Sequence, residues 1–153
     1  MNRVSERGFT LLEMVCVLAL IAMMAAVLLP LIPRQTSRAR LQAYALQAAA
    51  VLKEDRNAAI RQGTAVATLV DAGSRLIRSG ATAAFIRIPE DVRFEALLPR
   101  SCNHREALST INFFASGMSC GGAIALTRLD VGYEVRVNWL TGRIEIVSRN
   151  AAN

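Results

Sequence analysis

The sequence is poor in the residues that usually build catalytic and metal centres. It has a single histidine, His104, three cysteines and 5% aromatic residues in a chain of 153. One histidine excludes most His-based metal and catalytic centres, and three cysteines exclude a small domain held together by many disulfides. The length allows one domain with an added segment but not two domains.

Apolar and basic residues are what the chain has in excess. Hydrophobic residues make up 53% of it, the mean hydropathy is +0.32, and charged residues make up 20%. Such a chain is too apolar for an ordinary soluble domain and too rich in aliphatic residues for a disordered one. A net charge of +6 indicates anionic surroundings such as lipid headgroups, nucleic acid or an acidic partner. Composition therefore predicts a membrane-attached globular domain rather than an enzyme.

The apolar excess is concentrated near the amino terminus. Residues 14–29 are all apolar, and between residues 9 and 32 the run is interrupted only by Thr10, Glu13 and Pro30. A helix of this length spans about 36 Å, enough to cross the roughly 30 Å hydrocarbon core of a bilayer. A cleaved secretory signal fits less well, because the run is long and no small-residue cleavage site follows it. A buried core helix fits less well too, because nothing else in the chain could surround it. We therefore expect a membrane anchor over residues 9–32.

A short motif stands in front of this anchor. The residues Gly-Phe-Thr-Leu-Leu-Glu at positions 8–13 follow a short polar leader and precede the apolar run. This arrangement resembles the class III signal of type IV pilins and type II secretion pseudopilins. In that family a membrane peptidase cuts after the glycine and methylates the new amino terminus. The resemblance implies a leader peptide over residues 1–8, cleavage between Gly8 and Phe9, and N-methylation of Phe9.

Glu13 is the anomalous residue of the apolar run. An ionised carboxylate in a membrane segment costs about 3 kcal/mol, so it is expected to have a partner or a function. One interpretation is that the side chain reaches back to the membrane interface. The family resemblance implies instead an assembly charge pair, in which Glu13 pairs with the amino terminus of a neighbouring subunit. Pro30 is expected to kink the helix, either as a simple kink or with an assembly role like the proline of many pilin helices. Cys16 is expected to pack as a small apolar residue.

The charges that flank the anchor disagree with the motif on orientation. The leader carries a formal charge of only +1, whereas Arg34, Arg38 and Arg40 follow the anchor. The positive-inside rule alone would place the leader outside the cytoplasm. Because a processed Gly8–Phe9 bond requires a cytoplasmic leader, the resemblance implies the opposite. It predicts a single-pass protein of the bacterial inner membrane with a periplasmic head, which joins the pseudopilus after assembly.

The remainder of the chain changes its period at Gly63. Residues 33–62 are predicted as an amphipathic continuation of the helix, ended by that glycine. The apolar stripe consists of Leu41, Tyr44, Ala48, Val51 and Leu52. Residues 63–153 alternate with a period near two and predict a β-rich periplasmic head, a meander of short antiparallel strands. Within it we expect a hairpin turn at residues 71–74, a tight turn at residues 141–142 and an irregular surface loop at residues 99–108.

A second resemblance lies in the carboxyl-terminal half. Residues 113–126, followed by 133–137 and 141–144, look like the signature of the H-type minor pseudopilin family (GspH), which includes the minor pilins FimT and FimU. The implied fold is a pilin-like α+β fold, with a long amino-terminal membrane-spanning helix packed on a small antiparallel β-sheet head. The glycines of residues 117–122 fit a turn with positive φ. A phosphate-binding role is disfavoured because no helix start follows them.

The two cysteines of the head, Cys102 and Cys120, enclose 17 residues. Because the implied topology places them in the oxidising periplasm, we expect a disulfide, for which the entropic model gives a stabilisation on the order of 3 kcal/mol. Two free thiols are the alternative. A zinc site with His104 lacks an evident fourth ligand, and a Cys–His nucleophile lacks an orienting partner. No metal or cofactor is expected.

Together these features predict a structural function. The resemblance implies a minor pseudopilin of the type II secretion system, in the short periplasmic filament that drives protein export. The implied partners are the prepilin peptidase, the major pseudopilin, other minor pseudopilins and inner-membrane lipid. The alternative is a FimT- or FimU-like minor pilin of a type IV pilus, active in assembly or in binding nucleic acid through arginines. A membrane-anchored periplasmic enzyme is a third possibility, but the sequence has no catalytic constellation and predicts no enzyme.

Overall fold

The computed structural model describes residues 10–28, 35–107 and 109–150. The chain divides into two compact units, with the boundary between Gln35 and Thr36. The leader, the cleavage and methylation positions Gly8 and Phe9, and the kink position Pro30 lie outside the described residues.

Two helices and ten strands are found within these residues. The helices are α1 (Leu11–Leu28) and α2 (Arg38–Gln62). The strands are β1 (Val66–Asp71), β2 (Leu76–Arg78), β3 (Phe85–Arg87), β4 (Arg93–Leu97), β5 (Ser101–Cys102), β6 (Arg105–Glu106), β7 (Thr110–Phe113), β8 (Gly122–Arg128), β9 (Val131–Val137) and β10 (Ile144–Asn150). Throughout the described ranges, no helix combines the length and the hydropathy needed to cross a membrane.

The residues that flank α2, Ser37 and Gly63, explain where the helix begins and ends. The Ser37 hydroxyl accepts a hydrogen bond from the Arg40 N–H at 3.3 Å, so α2 begins at Arg38 rather than at residue 33, where the predicted segment starts. Gly63 ends it with a φ of 64°, which confirms the predicted stop. Of the predicted apolar stripe, Leu41, Ala48 and Leu52 are buried. Further alanines on that face allow the helix to approach the strands closely.

The strands form two four-stranded antiparallel sheets instead of one meander. Sheet A has the order β3-β2-β1-β7, and sheet B has the order β10-β9-β8-β4. The hairpins β1–β2, β8–β9 and β9–β10 join neighbours in sequence, as predicted. However, β7 pairs with β1, and β4 pairs with β8. A meander was the wrong prediction for these two strands, because alternation identifies a strand but does not choose its neighbour.

The core of the second unit lies between α2 and the two sheets. Sheet A contributes Ile77, Ile111 and Phe113, each fully buried, and sheet B contributes Ile124 and Val135. Full burial of an aliphatic or phenyl side chain contributes about 1.5–3 kcal/mol. This shared core holds both sheets against one face of α2.

Two loops differ from their predicted form. Residues 101–106 are a short hairpin, β5–β6, rather than an irregular loop. Its two turn residues, Asn103 and His104, both have positive φ, the conformation of a type I′ turn, for which the asparagine was the available sequence signal. The turn predicted at residues 141–142 belongs to a wider loop from Asn138 to Arg143. There the Asn138 side-chain oxygen accepts the N–H groups of Leu140 and Thr141.

Candidate functional site: the apolar helix and the cross-linked head

Glu13 lies in the first turn of α1. Its N–H donates to the Thr10 carbonyl oxygen at 3.1 Å and to the Thr10 hydroxyl at 3.3 Å, so Thr10 caps the helix. The pattern Thr-x-x-Glu is a capping-box signal that sequence reasoning missed. A carboxylate at this position also interacts favourably with the helix dipole, by about 0.3–1 kcal/mol. Glu13 is exposed, and among the described residues its carboxylate has no ion-pair partner.

Apart from Glu13, the described side chains of α1 are apolar on every side of the helix. Ten large apolar side chains between Leu11 and Met24 are each 45–85% exposed within their unit: Leu11, Leu12, Met14, Val15, Val17, Leu18, Leu20, Ile21, Met23 and Met24. Cys16 is exposed on the same helix. A contiguous apolar surface of this kind requires lipid or other apolar helices to cover it.

A disulfide joins two connections of the head. Cys102 from β5 is bonded to Cys120, which precedes β8, and their Cα atoms are 5.7 Å apart. The Cys120 N–H donates to the Asn112 carbonyl oxygen at 3.1 Å, and this bond attaches the same point to β7. Because the two sulfurs are bonded to each other, the zinc alternative with His104 does not fit this geometry. Among the described residues, no group of three or more His, Cys, Asp or Glu could hold a metal ion.

Arg56 brings the two parts of the carboxyl-terminal signature together. From α2, its Nε donates to the Gly117 carbonyl oxygen at 3.0 Å and its Nη2 donates to the Thr141 carbonyl oxygen at 3.1 Å. Gly142 has a φ of 63°, and a Cβ at this position would overlap the Gly117 carbonyl oxygen. Glycine is therefore required at position 142 by its close approach to the Gly117 carbonyl oxygen. Sequence reasoning missed this role of Arg56.

Asp55, the residue before Arg56, also has a structural role that sequence reasoning missed. Its side chain is fully buried, and its Oδ2 accepts the Thr68 hydroxyl at 2.6 Å and the Gly80 N–H at 2.9 Å. Its Oδ1 accepts the Ala81 N–H at 3.2 Å and also the Ser79 hydroxyl. These bonds connect α2 to β1 and to the β2–β3 connection. An aspartate on the apolar face of α2 was the sequence signal.

A third carboxylate, Asp91, holds the chain where the second unit begins. It accepts the Thr36 N–H at 2.7 Å, the Thr36 hydroxyl at 2.9 Å and the Arg128 Nε at 3.0 Å. The Thr36 N–H is the main cause of a lowered pKa of the Asp91 carboxyl, and the Arg128 charge adds to it. Thr36 is buried directly before the Ser37 cap. The start of α2 is therefore fixed to the β3–β4 connection and to the end of β8.

The class of protein follows from comparison of the fold with solved structures. The minor pseudopilin EpsH from the type 2 secretion system of Vibrio cholerae matches with a TM-score of 0.56 and 11% identity, over 71% of this chain and 96% of that one. The type IV minor pilin FimU of Pseudomonas aeruginosa matches with a TM-score of 0.52 and 20% identity, over 73% and 91%. At these identities the likeness is one of fold, and the fold is pilin-like α+β, as predicted.

Sequence comparison narrows this class to one family. A family model described as the prokaryotic N-terminal methylation motif matches residues 3–29. The type II secretion system protein H of Xanthomonas campestris pv. campestris is 34% identical over 139 residues, which cover 90% of this chain and 81% of that protein. The chain belongs to the family of type II secretion system protein H and is a minor pseudopilin. The family inferred from the two sequence motifs is thereby confirmed.

Proposed function

We propose that the chain is made as a precursor, cut between Gly8 and Phe9 and methylated at Phe9, and that it assembles into the periplasmic pseudopilus that drives protein export. The observation that carries this proposal is α1, which exposes apolar side chains on every side. Its first turn contains Glu13, whose N–H donates to the Thr10 hydroxyl. Residues 9–32 serve as the inner-membrane anchor before assembly. Residues 33–62 then lead into the head of residues 63–153.

Glu13 carries the assembly step of this proposal. After cleavage it is the fifth residue of the mature chain, and Phe9 carries a positive amine. In a filament core made of apolar helices, that amine needs an opposite charge nearby. The free Glu13 carboxylate supplies it to a neighbouring subunit and so sets the stagger between subunits. The exposed position of Glu13 and its lack of an ion pair among the described residues support this role.

The proposed partners are the prepilin peptidase, the major pseudopilin, other minor pseudopilins and inner-membrane lipid. The leader faces the cytoplasm and the head faces the periplasm. The Cys102–Cys120 bond is consistent with that oxidising compartment. The relatives are structural proteins, and we propose a structural rather than an enzymatic role for this chain.

The likeness to FimU favours one second candidate, a minor pilin of a type IV pilus that acts in assembly or binds nucleic acid. Many arginines of the head, however, are engaged within the protein. Acidic side chains hold Arg93, Arg128, Arg136, Arg143 and Arg149, and backbone carbonyls hold Arg75. Engaged guanidinium groups are less available to phosphates. The 34% identity to a type II secretion system protein H over 90% of this chain also favours a secretion pseudopilus, which is the better supported assignment.

The test is complementation of a deletion strain with the wild-type chain, Glu13→Gln and Glu13→Ala. We expect both variants to be processed, because the cut lies at Gly8. Both should lose cross-linking to the major pseudopilin and secretion into the medium, since neither supplies a negative charge. Normal incorporation and secretion with both variants would refute the charge pair. Loss of pilus-dependent motility with intact secretion in the deletion strain would instead favour the type IV pilus.

A further inference from the structure

Strand β10 is an open edge of sheet B. It is the last strand of the sheet and pairs with β9 on one side. Near its start, the Asn138 N–H donates to the Arg143 carbonyl oxygen at 2.9 Å. Because bonded pairs alternate along an antiparallel ladder, the N–H and C=O groups of Ile144, Ile146 and Ser148 point away from β9. Across the part of the chain that the structure describes, these outward groups have no hydrogen-bond partner.

This edge carries the charged residues Glu145 and Arg149 but lacks three other common protections against strand addition. Natural proteins protect sheet edges with short strands, prolines or bulges. β10 is seven residues long, contains no proline, and keeps an unbroken register with β9 from Ile144 to Asn150. The other outer strands of the two described sheets, β3, β4 and β7, have three to five residues. β10 is therefore the longest template that these sheets offer to an added strand.

A basic groove lies between α2 and the start of β10. It has a volume of about 460 Å³ and is lined by Lys53, Arg56 and Asn57 from α2 and by residues 141–144. None of the described residues that line it is acidic. Arg143 pairs with Glu145 at 2.9 Å, whereas Lys53 is exposed and has no ion-pair partner among the described residues. The groove therefore favours acidic side chains next to the open edge.

We propose that the edge of β10 docks an extended acidic segment of a partner chain. The segment adds a fifth strand to the four strands of sheet B and places its acidic side chains against Lys53. Arg56 already donates to the Gly117 and Thr141 carbonyl oxygens and adds its positive charge to the groove. A second copy of this chain fits less well. Symmetric antiparallel pairing of two β10 strands would bring Arg149, a cation, next to the groove. The site lies on the head and involves neither α1 nor Glu13, so this proposal and the assembly proposal can fail independently.

The test uses the full chain in detergent micelles and a synthetic probe. The probe is an acetylated peptide of alternating glutamate and valine, about eight residues long, which matches the length of an ordinary strand. The control peptide has lysine in place of glutamate. We expect the acidic peptide to bind at least about tenfold more tightly than the basic one. On binding, hydrogen exchange should slow at the outward amides of Ile146 and Ser148.

Two pairs of variants distinguish the contribution of backbone hydrogen bonds to peptide binding from the contribution of side-chain charge. Ile146→Pro removes an outward N–H at an edge position, where proline is tolerated, and should weaken binding at least about tenfold. Ile146→Thr keeps that N–H and should bind normally. Lys53→Glu reverses a groove charge and should weaken binding of the acidic peptide. Arg40→Glu makes the same charge change elsewhere on α2 and should leave binding unchanged.

The proposal would be overturned by equal binding of both peptides or by unchanged hydrogen exchange at the β10 amides in the complex. It would also be overturned if Arg40→Glu weakened binding as much as Lys53→Glu. A dimer that protects the β10 amides without peptide would assign the edge to a second copy and would also overturn it. If Ile146→Pro fails to fold by circular dichroism, the Lys53→Glu comparison and the exchange pattern decide.

Discussion

Removal of the Asp55 carboxylate should destabilise the head more than removal of any exposed acid. In Asp55→Ala, the Thr68 and Ser79 hydroxyls and the Gly80 and Ala81 N–H groups lose their acceptor. A buried donor without a partner costs about 1–3 kcal/mol. The loss is not the full sum, because the Ala81 N–H also reaches the Ser79 hydroxyl at 3.1 Å and because hydroxyl groups can rotate toward other acceptors. We expect a loss of about 3–5 kcal/mol in the free energy of unfolding, a large part of a typical 5–15 kcal/mol.

Glu54 provides the matched control on the same helix. It is the adjacent residue, and its exposed carboxylate forms an ion pair with Arg61 at 2.9 Å. Exposed pairs contribute about 0.2–1 kcal/mol, so Glu54→Ala should have a small effect. Asp55→Asn should fall between the two alanine variants, because an amide keeps one acceptor oxygen but presents N–H groups to the other donors.

The assay is urea unfolding of the full chain in detergent, monitored by circular dichroism. The free energy of unfolding is compared between wild type, Asp55→Ala, Asp55→Asn and Glu54→Ala. If Asp55→Ala and Glu54→Ala differ by less than about 1 kcal/mol, the buried donors have found other partners and the reasoning is wrong.

Three further predictions concern other parts of the chain. Gly8→Val should block processing, because a side chain there obstructs the peptidase, and mass spectrometry of the membrane fraction would then show the leader still attached. Replacement of Cys102 and Cys120 by alanine should lower the free energy of unfolding by about 3 kcal/mol, measured by urea denaturation; recovery of free thiols from wild-type periplasm would argue against the bond. The pKa of the Asp91 carboxyl lies below its ordinary value of 3.8, so its contribution to stability is present above that pH and is lost as the pH falls toward the folded-state value. Acid titration of unfolding should show a smaller loss for Asp91→Asn than for wild type.

The position of Glu13 has two physical explanations that act together. The capping bonds with Thr10 explain why a polar pair can begin an apolar helix within a single chain. They use the Glu13 N–H and leave the carboxylate free for another subunit. Capping is therefore compatible with the proposed charge pair, and Glu13→Gln should keep both capping bonds, since they come from the backbone N–H, while removing the charge.

Features that depend on neighbouring residues could be predicted from the sequence. The motif at residues 8–13 indicated the broad class of pilins and pseudopilins because it is a linear motif, and the match to the N-terminal methylation motif over residues 3–29 agrees with it. Gly63 ended α2 because only a residue that accepts positive φ fits a helix end of this kind. The hairpin at residues 71–74 was predictable because the Asp71 side chain accepts the N–H groups of Gly73 and Ser74 within the turn.

Features that depend on residues far apart in the chain could be seen only in the folded structure. Alternation shows which face of a strand is buried, but core complementarity and loop closure choose its neighbours, so β7 joined β1 and β4 joined β8. Asp55 finds its four donors 13 to 26 residues away, and Arg56 finds its two carbonyls 61 and 85 residues away. A local sequence pattern does not show which residues far apart in the chain will contact each other. The sequence therefore did not predict three features of the folded chain. These are the buried Asp55 carboxylate, the contact between Gly117 and Gly142, and the open edge of β10.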